Sequence, residues 1–286
     1  MRVPEFETVY GVDFSGARMA GRTIWVARVE IGRRLRVVAL DRLEALCGTA
    51  ERGPALAHLV GCVLESESAL WGFDAPFGLP LELFPAGAPW SEHFALIDRF
   101  GDDAYACGME CIRRTKRMPK SDLRTRLHCR RQTDREARAP FDAFHYRMIY
   151  QTFFGMRDVV KPLAAAPRTA VLPFQYAKLP AARRALVESC PACVLKANAL
   201  PHQNYKQPKG GPLARKCLRT RYAILEWLSA RVEMCDTFRR AIMRNPGGDA
   251  LDAVLAAVGA WDGFRAADHA AIRRHARYPR EGRIYA

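Results

Sequence analysis

Two aspartates interrupt otherwise apolar segments of the chain. Asp13 lies near the end of the apolar residues 9–14, and Asp74 directly follows the apolar residues 69–73. If both segments form neighbouring parallel strands, both carboxylates emerge at the edge where open α/β sheets bind ligands. Two buried like charges are unfavourable unless a cation neutralises them or one carboxyl group stays protonated. Carboxylate oxygens suit Mg²⁺ or Mn²⁺ better than Zn²⁺, so the pair predicts a divalent-metal site, although each aspartate could instead cap a turn.

A late helix supplies a third carboxylate. Residues 249–261 follow the turn sequence NPGG and are apolar nearly all round, which indicates a helix buried on most sides. Asp252 interrupts this pattern on a face of small residues that would let the helix pack tightly against the sheet. Those small residues are Ala256, Gly259 and Ala260. Asp249 lies three residues before Asp252 on nearly the same face, where it could join the site or serve as the helix N-cap.

Short strands and a crossover helix must position these carboxylates. The strands predicted at residues 9–14, 23–29 and 35–40 are joined by tight glycine-containing turns, which is typical of an antiparallel meander. Apolar residues at helical spacing predict a helix over residues 56–64, before a fourth strand at residues 69–73. Because a helix connects the third and fourth strands, we expect the fourth strand to lie parallel to the first and beside it.

The remaining chain contains an insertion and a return to regular structure. Residues 78–167 are rich in proline, aromatic and basic residues, and we interpret them as a partly helical, basic insertion after the fourth strand. A fifth strand over residues 181–187 and two later helices follow, and residues after 262 form a basic tail with little periodicity. The prediction is therefore an α/β fold, with a mixed five-stranded sheet flanked by helices, in a single domain over residues 1–286.

The insertion carries much of the positive charge. Eleven Lys or Arg residues stand against three acids between Arg113 and Arg138. We predict that this stretch binds nucleic acid, although it could instead be a solvated loop. The candidate contacts are Arg113, Arg114, Lys116, Arg117, Lys120, Arg124, Arg126, Arg130 and Arg131. Aromatic residues follow at once over residues 141–154 and could offer stacking surfaces close to the cations.

The composition indicates an anionic partner. The 286 residues carry a formal net charge of +15, which favours nucleic acid first and a phosphorylated small molecule second. The first residues lack the apolar run of a signal peptide, and no stretch approaches the roughly 18 apolar residues of a membrane span. We therefore expect a cytoplasmic protein without a membrane segment.

Nine cysteines are scattered along the chain without the framework of a small secreted fold, so we expect them to be reduced. Cys190 and Cys193 form a C-x-x-C motif, and Cys107 and Cys111 form a second pair. A zinc site built from both pairs and a redox motif are alternatives. The proline and apolar residues around the motif favour small buried side chains instead.

Several segments together resemble a known family. In chain order they are GVDFSGA, WGFDAPFGLP, CRRQTDREA, ESCPACVLKA, LPHQNYK and DALDAVLAA. This combination resembles the predicted RNase H-like nuclease family, catalogued as domain of unknown function 429. The resemblance implies an RNase H-like fold in which the first and fourth strands are neighbours. It also implies an acidic site formed by Asp13, Asp74, Glu188 and Asp252.

The function that follows is metal-dependent hydrolysis of phosphodiester bonds in DNA or RNA. Two Mg²⁺ or Mn²⁺ ions about 4 Å apart, bridged by Asp13, would activate water and stabilise the leaving oxygen. Lys196 and Lys206, near the proposed edge, are candidates for contacting the phosphate, although either could be a solvated surface lysine. His202 is a candidate proton shuttle, although it could instead be an ordinary loop residue.

Two other functions fit the same residues. One is a non-catalytic nucleic-acid-binding or regulatory module on an RNase H-like scaffold. The other is an ATP-dependent phosphotransferase of the actin and sugar-kinase type, with Asp13 to Gly16 as the phosphate loop. Against that second alternative, Pro76 stands where a second phosphate loop would need close backbone approach.

Overall fold

A seven-stranded mixed sheet lies at the centre of the computed structural model, which describes residues 3–117, 129–207 and 210–286. The strands are β1 (Thr8–Asp13), β2 (Trp25–Glu30), β3 (Leu35–Arg42), β4 (Ala69–Phe73), β5 (Thr169–Val171), β6 (Arg184–Glu188) and β7 (Val232–Glu233). Their order across the sheet is β5-β6-β4-β1-β2-β3-β7. The pairs β1–β2 and β2–β3 are antiparallel, whereas the other neighbours are parallel.

Helices flank both faces of this sheet. They are α1 (Ala20–Thr23), α2 (Leu43–Cys47), α3 (Arg52–Glu65), α4 (Ser91–Asp98), α5 (Ala104–Lys116), α6 (Gln132–Glu136), α7 (Ile149–Phe154), α8 (Lys161–Ala165), α9 (Pro191–Ala197), α10 (Arg215–Ser229), α11 (Asp236–Arg244), α12 (Asp249–Ala266), α13 (His269–Arg274) and α14 (Tyr278–Glu281). Short 3₁₀ turns lie at Leu81–Leu83 and Leu179–Ala181, and a π-helical segment, Gly155–Val160, joins α7 to α8. None of the helices in the described ranges is long and apolar enough to span a bilayer.

The meander and the crossover agree with the sequence prediction. β1, β2 and β3 form an antiparallel meander, and α3 leads into β4, which pairs in parallel with β1. α3 forms because its apolar residues recur at helical spacing and are buried on one face. All five residues of β4 are buried, as expected for a strand covered on both sides.

The register of β1 and β4 places the two aspartates at one edge. Val12 lies opposite Phe73, and the backbone N–H of Asp74 donates to the carbonyl oxygen of Val12 at 2.9 Å. Asp13 is the next residue after Val12 and ends β1. The two carboxylates therefore leave adjacent parallel strands at the same carboxyl edge, as the sequence predicted.

Helix α12 packs directly onto the backbone of β1 and β4. A Cβ atom at Gly11 would lie 2.0 Å from the carbonyl oxygen of Ala253, and one at Gly72 would lie 2.4 Å from the Cβ of Ala260. Such contacts exclude any side chain at either strand position. The glycines thus set how closely the helix, and with it Asp252, approaches the strands.

Two apolar cores lie on opposite faces of the sheet. One contains α12 together with residues from α9, α10 and α11, whereas the other contains α3, α7 and the π-helical segment. A smaller apolar cluster joins α4, α5 and α7 within residues 78–167. Part of the basic stretch, including Lys120, Arg124 and Arg126, lies outside the described residues.

Two features differ from the sequence prediction. The described sheet has seven strands rather than five, because β5 and β7 were not predicted. These edge strands contain three and two residues, which is too short to produce a recognisable alternation of apolar and polar positions. The segment after residue 262 is also more regular than expected. α12 continues to Ala266, α13 and α14 follow, and Ile284 forms a parallel bridge with Glu188 at the end of β6.

Candidate metal centre

Three aspartates converge at the carboxyl edge of the sheet. Asp13 ends β1, Asp74 follows β4, and Asp252 lies in the first turn of α12. One carboxylate oxygen from each residue lies within 4.8 Å of the other two. Within the described ranges, this is the one group of three or more acidic, histidine or cysteine side chains arranged so closely. Such an all-oxygen donor set suits Mg²⁺ or Mn²⁺.

Asp252 is fixed by two neighbours from the loop before α10. The hydroxyl of Tyr205 donates to Oδ1 of Asp252 at 3.0 Å, and Nζ of Lys206 contacts Oδ2. Only 1% of Asp252 is exposed, so both contacts lie in a protected environment. Its carboxylate is therefore held in one orientation towards Asp13 and Asp74.

Burial raises the pKa of each aspartate in the group. For Asp74, desolvation and the nearby Asp252 raise the pKa to about 7, although Lys206 opposes the change. Desolvation also raises the pKa of Asp13 well above its ordinary value, and neighbouring carboxylates including Asp252 add to this effect. The pKa of Asp252 is raised by desolvation too, against the lowering effect of Lys206. Without a metal ion, the site resists full ionisation.

Lys206 supplies a counter-charge from the rim of the pocket. Its side chain is 43% exposed, and its ammonium reaches inwards to Asp252. Partial desolvation lowers the pKa of Lys206, but Asp252, Tyr205 and Asp13 together raise it well above its ordinary value. One ammonium opposite three carboxylates still leaves net negative charge when all three are ionised. Lys206 thus lies beside the three aspartates, and its contact with a phosphate stays a prediction.

The aspartates line a pocket of about 770 Å³. This volume falls within the usual range for small-molecule sites and greatly exceeds the space needed by an ion. Arg147, His202 and Lys206 bring basic groups to its walls, and Phe141 and Tyr205 bring aromatic rings. The pocket thus combines an acidic floor with a basic and aromatic rim.

Glu188 lies in the same pocket but has another partner. Its Oε1 accepts from Nη1 of Arg131 at 2.7 Å and from the backbone N–H of Phe77 at 3.0 Å. Burial raises the pKa of Glu188, although Arg131 opposes this. The carboxylate therefore braces the loop that starts at Asp74. It does not belong to the close group of three, in contrast to the role that the resemblance implied.

Asp249 lines the pocket without joining the close group. Its Oδ2 accepts from Nδ2 of Asn245 at 3.2 Å, and its carboxylate raises the pKa of Asp13 through charge repulsion. The N-cap position of α12 is taken by Gly248, which has a positive φ of 87°. Asp249 is thus the first helical residue, where its negative charge interacts favourably with the helix dipole.

The predicted nucleic-acid contacts lie in several different environments. Arg113, Lys116 and Arg117 are exposed at the end of α5, whereas Arg114 is bound to Glu110 and to the carbonyl oxygen of Leu83. Arg130 donates to the carbonyl oxygens of Ala139 and Pro140. Arg131 requires a correction. It is 1% exposed and paired with Asp134 and Glu188, so it forms an internal ion pair at the wall of the acidic pocket and is not part of an exposed basic surface.

Lys196 lies away from the aspartates. It lines a separate cavity of about 260 Å³, and its Nζ donates to the carbonyl oxygen of Arg138 at 2.6 Å. Lys196 is therefore not among the residues that line the acidic pocket, where the sequence suggested that it would contact a phosphate. His202, in contrast, lines the acidic pocket, and its role as a proton shuttle stays a prediction.

The C-x-x-C motif lies on the turn between β6 and α9. The Sγ atoms of Cys190 and Cys193 are 2.8 Å apart, and Cys190 faces the acidic pocket. The hydrogen bond from Cys193, followed by burial, raises the pKa of Cys190 well above its ordinary value. The motif therefore lies between a strand and a helix, the context that a redox C-x-x-C motif requires, although nothing in the surrounding sequence had indicated it. Cys107 and Cys111 are buried on α5, and the described cysteines form no zinc-binding cluster.

A family model described as "Protein of unknown function (DUF429)" matches residues 11–273. The chain belongs to this family. No curated protein and no solved structure matches it. The range matched to DUF429 includes all three converging aspartates, whereas α14 lies beyond it.

Sequence reasoning missed two residues that organise this DUF429 site, Tyr205 and Gly11, and it assigned Arg131 to nucleic-acid binding and not to the internal pair with Glu188. Tyr205 and Arg131 lie in the quoted segments LPHQNYK and CRRQTDREA, but neither had a recognisable partner along the chain. Gly11 carried a usable signal, because a glycine inside an apolar strand often marks close approach of another backbone. That signal would have placed α12 against β1.

Proposed function

We propose that this protein is a metal-dependent phosphodiester hydrolase that acts on nucleic acid and is built on an RNase H-like core. The observation that carries the proposal is the meeting of three carboxylate oxygens, from Asp13, Asp74 and Asp252, within 4.8 Å of one another. The parallel pairing of β1 with β4 supports the fold assignment, because an RNase H-like core requires those strands to be neighbours.

The donor chemistry fits a divalent cation. Three carboxylates with raised pKa values share one pocket, so a cation would relieve the repulsion that otherwise favours protonation. The ligands would be Asp13, Asp74 and Asp252, and their oxygen atoms favour Mg²⁺ or Mn²⁺. When bound, such an ion supplies electrophilic stabilisation of a phosphoryl oxygen and a water molecule of lowered pKa.

Other residues of the pocket orient the carboxylates or offer a contact to the substrate phosphate. Tyr205 fixes the carboxylate of Asp252, and the Glu188–Arg131 pair fixes the backbone at Phe77 near Asp74. Lys206 presents a cation at the rim, where it could neutralise a phosphate oxygen once a metal ion has taken over the charge of Asp252. Each of these residues keeps the acidic group in place before substrate enters.

Nucleic acid is the substrate class that the charge favours. The net charge of +15 attracts a polyanion, and exposed basic side chains lie at the end of α5. Arg147 and Lys206 carry positive charge to the pocket itself. A polyanionic strand thus has favourable charge both over the surface and beside the carboxylates.

The test is a cleavage assay with purified protein. Labelled single-stranded DNA, duplex DNA and RNA are incubated with Mg²⁺, Mn²⁺ or EDTA, and products are separated by electrophoresis. We expect cleavage that requires the metal and disappears in Asp13→Asn. The matched control is Asp98→Asn, which removes one exposed carboxylate that pairs with Lys161 on the surface and should leave cleavage unchanged.

Two results would contradict the proposal. If Asp13→Asn cleaved as fast as the unmodified protein, the activity would come from a contaminant or another site. If no substrate were cleaved with either metal while the protein bound Mn²⁺, hydrolysis of nucleic acid would be excluded as its role.

A further inference from the structure

Aromatic rings cluster beside one wall of the acidic pocket. Residues 141–147 connect α6 to α7, and Phe141 and Arg147 of this segment line the same pocket as the three aspartates. We call the side chains of Phe141, His145, Tyr146 and Arg147 the aromatic ledge. Phe141 and Arg147 place one end of the ledge inside the pocket, whereas His145 and Tyr146 extend it beyond the pocket lining.

The rings of the ledge already pack against one another, Phe141 stacked on His145 and Tyr146 tilted against it. The centroids of Phe141 and His145 are 4.5 Å apart, and those of His145 and Tyr146 are 4.4 Å apart. The guanidinium carbon of Arg147 lies 5.5 Å from the centroid of Phe141 and 5.6 Å from that of Tyr146. Nε of Arg147 also donates to the hydroxyl of Tyr146 at 3.1 Å. These contacts hold the cation next to flat apolar surfaces.

The ledge is tied firmly to the metal-binding strands. Nε2 of Gln151 donates to the backbone carbonyl of Asp74 at 2.8 Å. The loop after β1 touches the same helix, because a Cβ atom at Gly16 would lie 2.1 Å from the carbonyl oxygen of Tyr150. Below the ledge, the buried hydroxyl of Thr152 donates to the carbonyl oxygen of Ala143. The distance between ledge and carboxylates is therefore set by direct contacts.

Despite this anchoring, the ledge presents apolar surface to solvent. Tyr146 is 69% exposed, although an aromatic ring of this size normally gains from burial. Arg147 is exposed as well and leaves donors available to a ligand. Flat rings beside a cation are the combination by which proteins bind the bases and phosphates of single strands.

Resting on the proposed function, we propose that the aromatic ledge stacks an unpaired nucleobase while the adjoining phosphate reaches the three aspartates. Asp13 is 8% exposed and Asp252 1%, so a phosphodiester contacts them only if the strand enters the pocket. An unpaired nucleotide can do so, whereas a duplex must first lose stacking and pairing energy of a few kcal/mol. The substrate class is therefore single-stranded nucleic acid or an unpaired nucleotide within a duplex.

The test measures binding separately from cleavage. Fluorescence anisotropy is recorded with labelled oligothymidylate, oligouridylate and a DNA duplex, in the presence of Mn²⁺ and in an Asp13→Asn background that prevents turnover. We expect tighter binding of the single strands than of the duplex. Comparison of the two single strands identifies DNA or RNA as the preferred source of the base.

Substitutions at Tyr146 then isolate the stacking contribution. Tyr146→Ala should weaken binding of the single strand about 5- to 150-fold, which corresponds to stacking of about 1–3 kcal/mol per base. Tyr146→Phe should bind like the parent, because it keeps the ring. The matched control is Tyr222→Ala, which removes a 62% exposed tyrosine outside the acidic pocket and should have no effect. The salt dependence of binding should be unchanged by Tyr146→Ala, since no charge is lost.

The outcomes separate this inference from the proposed function. Equal affinity of Tyr146→Ala and its parent, or duplex binding as tight as single-strand binding, would contradict the proposed stacking role of the ledge. If the protein with intact Asp13 still cleaved nucleic acid in that case, the proposed hydrolase activity would be unaffected. Loss of binding in Tyr146→Ala, without any cleavage by the intact protein, would support the stacking role and contradict the hydrolase activity.

Discussion

The metal-free protein should be destabilised by its own carboxylates, and Asp74→Asn should relieve this. Desolvation and Asp252 raise the pKa of Asp74 from 3.8 to about 7. A difference of about 3 pKa units corresponds to about 4 kcal/mol at 1.36 kcal/mol per unit. Because Asp74 is only partly buried and interacts with neighbouring titrating groups, we expect its ionisation to destabilise the folded protein by about 1–3 kcal/mol.

The sign of the effect follows from linkage. The pKa of Asp74 is higher in the folded state than in the unfolded state, so the folded protein binds more protons between pH 4 and 7. Its contribution to stability is most favourable below pH 4 and is lost as the pH rises towards 7. Asp74→Asn removes this loss. The difference between variant and parent should therefore grow from pH 4 to pH 7 and level off above.

Thermal unfolding in EDTA, followed by circular dichroism, measures the difference. At pH 8 the variant should unfold about 2–6 °C above the parent, given the entropy change typical of a chain of this size. Saturating Mn²⁺ should reverse the order, because it stabilises the parent by mass action and the variant lacks a ligand. Asp98→Asn, at an exposed surface pair, should show neither the pH trend nor the reversal.

Two results would refute this reasoning. If Asp74→Asn were less stable than the parent in EDTA at pH 8, Asp74 would be contributing a favourable interaction that outweighs charge repulsion. A stability difference independent of pH between 4 and 8 would mean that the raised pKa is not its cause. Either result would also remove the electrostatic argument that the site requires a cation.

Three further substitutions, one of them with a matched control, test the packing around the site. Gly11→Ala should destabilise the fold in a denaturant titration by about 1–3 kcal/mol or more through its clash with α12. Its control, Gly61→Ala, lies at a helix position with open space and should stabilise the fold by about 0.5–1 kcal/mol. Glu188→Ala should cost about 3–5 kcal/mol because it leaves Arg131 buried with one fewer partner; near-neutral unfolding data would show that the pair is not structural. Tyr205→Phe should lower stability by about 1 kcal/mol and weaken Mn²⁺ binding measured by calorimetry, and unchanged binding would argue against its orienting role.

The central elements could be predicted from local pattern. Short apolar runs bounded by turns identified β1 to β4, helical spacing identified α3, and a segment that is apolar nearly all round identified α12. The crossover rule then placed β4 beside β1, and the register observed between Val12 and Phe73 agrees with it. These inferences succeed because burial of one strand or helix face is recorded in the spacing of neighbouring residues.

The edge strands and the C-terminal segment could not be predicted in this way. β5 and β7 are too short to have a period, and they exist because longer neighbouring strands offer unpaired backbone groups. Residues after α12 hold their place through contacts with distant parts of the chain. An example is Tyr285, whose backbone N–H donates to the carbonyl oxygen of Glu188.

The sequence by itself determined which carboxylates were unusual. Asp13, Asp74 and Asp252 stood out because each interrupts an apolar element, and a buried charge has to find compensation. The tertiary structure decided how they are compensated. It brought Lys206 to Asp252, paired Glu188 with Arg131, and placed Phe141 and Arg147 of the aromatic ledge in the wall of the acidic pocket. Those pairings join residues far apart along the chain, and the local spacing of apolar and polar residues does not determine which charged groups pair in the folded protein.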